Sequence, residues 1–428
     1  MSFLYLLFLP IRGINNIKIE LKGKYLILKT IWIISQFTDK FTSNTSNRYA
    51  YIYNYFKQNG YNVKMVTSTF DHGKKSKKIR PENKDIIFIN EPGYRSNTSP
   101  GRLVSHGIYA RNAFKYLKGK VQAQDVILCA IPSNYLAYLI SMNLQGIKIF
   151  DIHDTWPESF EPLLSSRMKG LFKFPFGKWK EMRTKAVKNS DFLMAESKEY
   201  LQIHSNLIGS NIPKHAILLG AEISKYSAIK SNETFVDKNY INVVFAGNLG
   251  VNYDLDTILN AVEINAENWR NRKIRFYFFG DGEKKVDIFK SVSKIEGLVY
   301  HIKRKEYDEY LSILKSFDIA INSFTLGTNV RYSYKSVDYL LLGLPVINNL
   351  PGEFWEDVEQ YNLGKNFYAG DVNSFSENLL DLCDLLKNKD SDFINNIKSY
   401  SSNYLDRELI YTPLFKFVSN CVTENQND

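Results

Sequence analysis

With 428 residues, 44% of them hydrophobic, the chain carries enough apolar surface for two globular domains, which excludes a small stapled scaffold and a disordered tail. Its three cysteines, Cys129, Cys383 and Cys421, are too few and too far apart for a disulfide framework, and no two of its six histidines stand three or four residues apart. The formal net charge of +10 draws anions to the surface without choosing between nucleic acid, anionic lipid and phosphorylated small molecules.

A reducing, cytoplasmic setting and no metal site are therefore expected. The first ten residues are apolar but too short to span a bilayer, and they lack a basic leader and a small-residue cleavage site. Residues 1–28 are read as an appendage, because the first β-rich run begins only at Lys29.

From there, short β-rich runs alternate with longer amphipathic stretches, the pattern of a parallel sheet covered by helices on both faces. Strands are predicted at 31–35, 62–68, 85–90, 126–130, 148–152 and 192–195, with a helix over 47–59 ended by Gly60. A polar segment, 224–238, interrupts the series and reads as a linker. A second series follows, with strands at 241–247, 274–280, 298–302, 319–322 and 345–348. The domains are thus 29–223 and 239–400, with a helical segment and frayed tail over 401–428. The predicted class is α/β, two Rossmann-like doubly wound domains.

Ligands of such sheets bind beyond the carboxyl ends of the strands, so the strand ends are where chemistry is sought. Gly247-Asn248-Leu249-Gly250 and Gly280-Asp281-Gly282 are glycine turns whose amides could approach a phosphate, although turn geometry alone also explains them. Arg331, Lys335 and Asp338 are spaced to share one face of a short helix, an arrangement that suits a diphosphate (the cations) and ribose hydroxyls (the carboxylate). Gly343-Leu344-Pro345-Val346-Ile347 then leads into a buried strand.

Together with Lys335-x-x-Asp338-Tyr339, these motifs resemble the carboxyl-terminal domain of family 4 glycosyltransferases, particularly those of capsule and O-antigen assembly. In the first half, Asp151-Ile152-His153-Asp154-Thr155-Trp156-Pro157-Glu158 resembles that family's strand end at the transferred sugar, and Asn47-Arg48-Tyr49 its acceptor-side helix start. The resemblance runs from about Lys29 to Asp371 and implies a GT-B fold, two domains facing across a cleft. It implies metal-independent, cofactor-free transfer from a nucleotide-diphosphate sugar with retention of configuration. His153, Asp154 and Lys335 would carry the chemistry, Gly247, Asn248, Gly280, Asp281, Arg331, Lys335 and Asp338 the donor, and Asn47 and Arg48 the acceptor side.

Two departures stand out. Many members place an arginine after the first glycine of the second domain and a lysine about five residues on, where this chain has Asn248 and Tyr253; Val330 and Asp338 stand where many carry two glutamates. A catalytically silent partner of a transferase and a nucleotide-sugar epimerase therefore stay open as alternatives. Finally, 167–180 mixes Arg167, Lys169, Lys173, Lys178 and Lys180 with Phe172, Phe174, Phe176 and Trp179, and Arg183, Lys185 and Lys188 continue the charge. That composition suits an anionic bilayer surface and also single-stranded nucleic acid; its place in the acceptor-side domain and the resemblance favour the membrane, and the resemblance implies a lipid-linked saccharide as acceptor, no nucleic-acid partner and a peripheral place on the inner face of the plasma membrane.

Overall fold

The computed structural model describes residues 29–38, 47–96, 100–159, 166–206, 209, 211–387 and 391–423. The expected appendage and the last five residues of the tail lie outside them. Among the described residues there are fifteen strands: β1 (Thr30–Ile34), β2 (Asn62–Ser68), β3 (Phe70–Asp71), β4 (Ser76–Lys77), β5 (Ile86–Ile89), β6 (Val126–Ile131), β7 (Ile147–Ile152), β8 (Phe192–Ala195), β9 (Lys214–Ala216), β10 (Ile241–Asn248), β11 (Ile274–Asp281), β12 (Val299–Ile302), β13 (Ile319–Asn322), β14 (Val346–Asn348) and β15 (Gly364–Asn366). β3 and β4 form a small antiparallel hairpin.

The others build two all-parallel sheets, in the orders β5-β2-β1-β6-β7-β8-β9 and β12-β11-β10-β13-β14-β15. Central strands such as β6 are buried at every residue, because helices cover both faces, and their sequences are accordingly continuous apolar runs. Each sheet is doubly wound: the order reverses beside β1 in the first and beside β10 in the second. Those switch points open the crevices where a ligand fits.

The short polar strands β9 and β15 were not anticipated. They are outermost in their sheets, where one unpaired side removes the demand for an apolar run. The segment 224–238 carries the end of the helix Ile223–Ser227 and a 3-10 turn, and Tyr226 packs into the second domain's core. At the far end, the helix Thr412–Thr423 returns to the first domain. There Leu414, Phe415 and Val418 join a cluster with Tyr49, Ile52 and Phe56, and Phe415 stacks on Tyr55 at 3.5 Å between centroids. The chain thus crosses between domains twice, and the two crossings are tied by Ala221 paired with Asp406 and by Arg407 Nε donating to Leu219 O at 3.1 Å.

Candidate active site

The carboxyl end of β7 delivers Asp151, Ile152 and then His153. Asp151 is fully buried and held by Arg48 through both oxygens, Nε to Oδ2 at 2.8 Å and Nη2 to Oδ1 at 3.0 Å, while Tyr49 Oη also donates to Oδ2 at 2.9 Å. Arg48 is 1% exposed and also donates to Ile217 O, and Asn47 caps the helix Arg48–Gln58 by accepting from the amides of Tyr49 and Ala50. Of the two residues expected on the acceptor side, Asn47 fixes a helix start and Arg48 neutralises a buried carboxylate.

His153 stands at the mouth of this network, about one third exposed, with Nδ1 paired to Glu196 at the end of β8. Burial pulls the imidazole's pKa down, but the Glu196 carboxylate outweighs it and the net shift is upward. Burial also lifts the Glu196 carboxyl. Asp154 was expected to act on the sugar. Its carboxylate accepts from the Thr155 amide at 2.7 Å, from Trp156 Nε1 at 2.7 Å and from Ser159 Oγ, which shapes the loop around it.

Across the cleft, Gly247 and Gly280 lie side by side at the ends of β10 and β11. Gly280 has φ +149°, and a Cβ there would meet Gly247 O at 1.8 Å, so part of the glycine signal is close packing of neighbouring strand ends. Asn248 and Asp281 are exposed at the same edge, with Asp281 paired to Lys285 at 3.2 Å.

The helix beyond β13 begins later than expected. Ser333 caps it by accepting from Ser336 N at 3.1 Å, and the helix spans Tyr334–Leu341. Arg331 therefore precedes the helix, and the expected shared face of Arg331, Lys335 and Asp338 does not exist. Arg331 pairs with Glu199 of the first domain. Asp338 accepts from Tyr226 and Tyr307 Oη at 2.5 and 2.8 Å. Burial drives its carboxyl up to about 6 even though both hydroxyls favour the charged form.

Lys335 alone reaches the glycine turn. Tyr339, one helical turn on, bonds Ala246 N at 3.0 Å and pins this helix under the end of β10. A methyl on Gly247 would come within 3.0 Å of Lys335 Cδ. The Lys335 side chain is partly exposed, but its Nζ is buried without a hydrogen-bond partner, 3.7 Å from the Tyr253 ring centroid, 4.2 Å from Phe245 and 5.1 Å from Phe324. Burial with no counter-ion pulls its pKa far down. Tyr253, standing where many resembling proteins carry a second lysine, supplies an aromatic face for the first. Nothing in the spacing of Glu196, Phe245 or Phe324 marks them as site residues; only the folded sheet edges bring them in.

The two edges are held together by Tyr200 Oη donating to Asn329 O at 2.7 Å, Asn329 Nδ2 donating to Glu158 O at 3.1 Å and Lys198 N donating to Glu353 at 2.6 Å. A larger cavity, about 820 Å³, lies at the opposite, amino-terminal edge of the second sheet, among Tyr240, Lys273, Asp318 and Pro345. It is remote from Lys335 and from the edge where such sheets bind ligands.

No family model matches the chain, and no curated protein matches it. Solved structures do. HepE from Anabaena in complex with UDP superposes with a TM-score of 0.63 at 12% identity, over 92% of this chain and all of the other. WaaG, a glycosyltransferase involved in lipopolysaccharide biosynthesis, gives 0.62 at 12% over 92% and 99%, and sucrose-phosphate synthase from Thermosynechococcus elongatus gives 0.66 at 12% over 92% and 98%. The fold is GT-B. At such identities the likeness establishes this architecture, with its cleft between two Rossmann-like domains, and leaves the reaction to be argued from the site.

Proposed function

We propose that the protein is a glycosyltransferase of the family 4 type that takes its sugar from a nucleotide-diphosphate donor bound in the GT-B cleft. The observation that carries this reading is the Lys335 Nζ, buried without a counter-ion beneath the Gly247-Asn248-Leu249-Gly250 turn, where a bound anion would restore its charge. An unpaired buried charge is costly, and a diphosphate at the strand edge would pair it while the turn amides bond the phosphate oxygens. Structural likeness to HepE, which has been solved with UDP and with UDP-glucose, supports the donor class.

In this reading the acceptor hydroxyl attacks the anomeric carbon from the face the nucleotide leaves. The new carbon–oxygen bond forms as the bond to the diphosphate breaks, and the departing phosphate oxygen takes the hydroxyl's proton, so configuration is retained without a protein base or a metal. Lys335 stabilises the charge growing on the leaving group; His153, oriented by Glu196, contacts the transferred sugar. Asp154 positions the loop, and Asp338 braces the nucleotide-side helix through Tyr226 and Tyr307.

The acceptor in this reading is a lipid-linked saccharide of surface-polysaccharide assembly, approached from the cytoplasmic face of the membrane. Among the described residues no helix is long and apolar enough to cross a bilayer. The helix Ser166–Lys188 exposes Lys173, Phe174 and Lys178 for surface contact, whereas Arg183 is buried against Glu158 at 2.7 Å and is not part of that surface.

A thermal-shift titration against UDP, GDP and dTDP, without added metal, tests the donor site. A selective rise in melting temperature that is lost in Lys335→Ala supports it. No rise with any nucleotide overturns the reading in favour of a silent homologue, and turnover of donor sugar without acceptor would identify an epimerase.

A further inference from the structure

We infer that the first domain binds a divalent transition-metal ion of Zn²⁺-like chemistry between His72, Glu91 and His106. The three come from separate elements: His72 follows β3 in the small hairpin, Glu91 follows β5, and His106 lies in the helix Pro100–Lys118. One ligand atom from each lies within 4.8 Å of the others. His72 Nε2 is 3.4 Å from Glu91 Oε2, and His106 Nε2 is 3.9 Å from Glu91 Oε1. Tetrahedral Zn²⁺ with bonds of about 2.0–2.1 Å separates its ligands by roughly 3.4 Å, which the His72–Glu91 Oε2 pair already meets; His106, nearest to Oε1 and within 4.8 Å of the other two ligand atoms, closes the site by turning toward Oε2.

A second observation points the same way. His72 Nε2, Glu91 Oε2 and His106 Nε2 are all buried without a formed hydrogen bond, and Glu91 and His106 are only 5% and 7% exposed. The other polar atoms of His72 and Glu91 are occupied. His72 Nδ1 is bonded to Tyr94 Oη at 2.9 Å, and Glu91 Oε1 accepts from Ser105 Oγ at 2.9 Å and Gln36 Nε2 at 3.1 Å. That is how ligating histidines and carboxylates are oriented by the groups behind them, leaving one face for the ion. Two histidines and one carboxylate are also a donor set that Zn²⁺ takes.

Three protein ligands leave a fourth position. His106 stacks on Trp156 at 5.4 Å and lines a cavity of about 380 Å³ with Trp179, Tyr135 and Arg111, which gives an exogenous ligand a way in. Arg102, 4.5 Å over Trp156, and Lys75, 4.5 Å over Tyr94, bring positive charge that opposes a dication; with the ion bound, the same charge selects an anionic fourth ligand. The ion would tie the hairpin, β5 and the helix into one unit beside the loop that holds Asp154. It takes no part in the donor chemistry proposed above, and its test is independent of that reading.

The full-length protein, stripped with chelator and dialysed, is titrated with Zn²⁺ and with Co²⁺. The expected results are one equivalent of Zn²⁺ per chain by elemental analysis, a rise in melting temperature, and intense visible Co²⁺ bands of a tetrahedral site. His72→Asn/His106→Asn should lose all three, while His215→Asn, outside the cluster, keeps them. Zn²⁺ uptake by the double variant equal to that of the parent overturns the inference. Should the double variant fail to fold, the parent decides alone: a Co²⁺ spectrum no different from the hydrated ion overturns it.

Discussion

The two edges of the cleft treat charge in opposite ways. At the first domain's edge the described charges are paired: Arg48 with Asp151, His153 with Glu196. On the second, Lys335 has none and rests against three aromatic rings. A paired buried charge is a structural fastener, whereas an unpaired one held beside a glycine turn waits for an anion. Formal charge in the sequence does not distinguish the two, because the difference lies in what stands opposite.

The contrast breaks most readily at Arg48. Arg48→Met strands Asp151 in the interior, and a loss of about 3–5 kcal/mol in urea unfolding is expected, since removing one partner leaves the other's desolvation uncompensated. A loss under 1 kcal/mol would mean that Tyr49 alone suffices for Asp151.

Asp338 gives the next largest effect. Its folded pKa is raised from 3.8 to about 6, so the native state holds a proton that the unfolded chain releases. The stability this contributes is fully present below the unfolded value and is lost as pH rises through the folded one, a change of roughly 3 kcal/mol. Asp338→Asn should flatten that part of the stability profile and make the protein more stable than the parent at neutral pH; an unchanged profile would show that the carboxyl is not isolated there.

At Lys335 stability and binding should part company. Lys335→Met is expected to unfold no more easily than the parent, because it removes an uncompensated charge, yet to weaken nucleotide binding tenfold or more by calorimetry, about 1.4 kcal/mol or greater. Equal losses in both measurements would make Lys335 a structural residue like Arg48. The smallest effect is at the surface: Lys173→Glu with Phe174→Ser should reduce co-sedimentation with anionic liposomes a few-fold and leave neutral vesicles unaffected. Indifference to both changes would remove the helix Ser166–Lys188 from the membrane reading.

Much of the architecture was legible in the chain. The interior strands of both sheets are recognisable because burial on both faces demands unbroken apolar runs, as in Val126–Ile131. Edge strands β9 and β15 escaped because no such demand falls on them. In the site, the glycine turns and Lys335 were visible as motifs, but Arg331 was assigned to a helix that starts only after the Ser333 cap. The three-and-four spacing was right for a helix and applied one turn too early.

Local periodicity and turn chemistry suffice to specify two doubly wound sheets and the strand ends at their carboxyl edges. Which charges are satisfied is set by the fold. It set Glu196 against His153, Tyr226 and Tyr307 against Asp338, aromatic faces around Lys335, and His72 and His106 on either side of Glu91. Each of these joins residues far apart in the chain, and the free energy of a buried charge depends on its neighbours in space, which spacing along the chain does not encode.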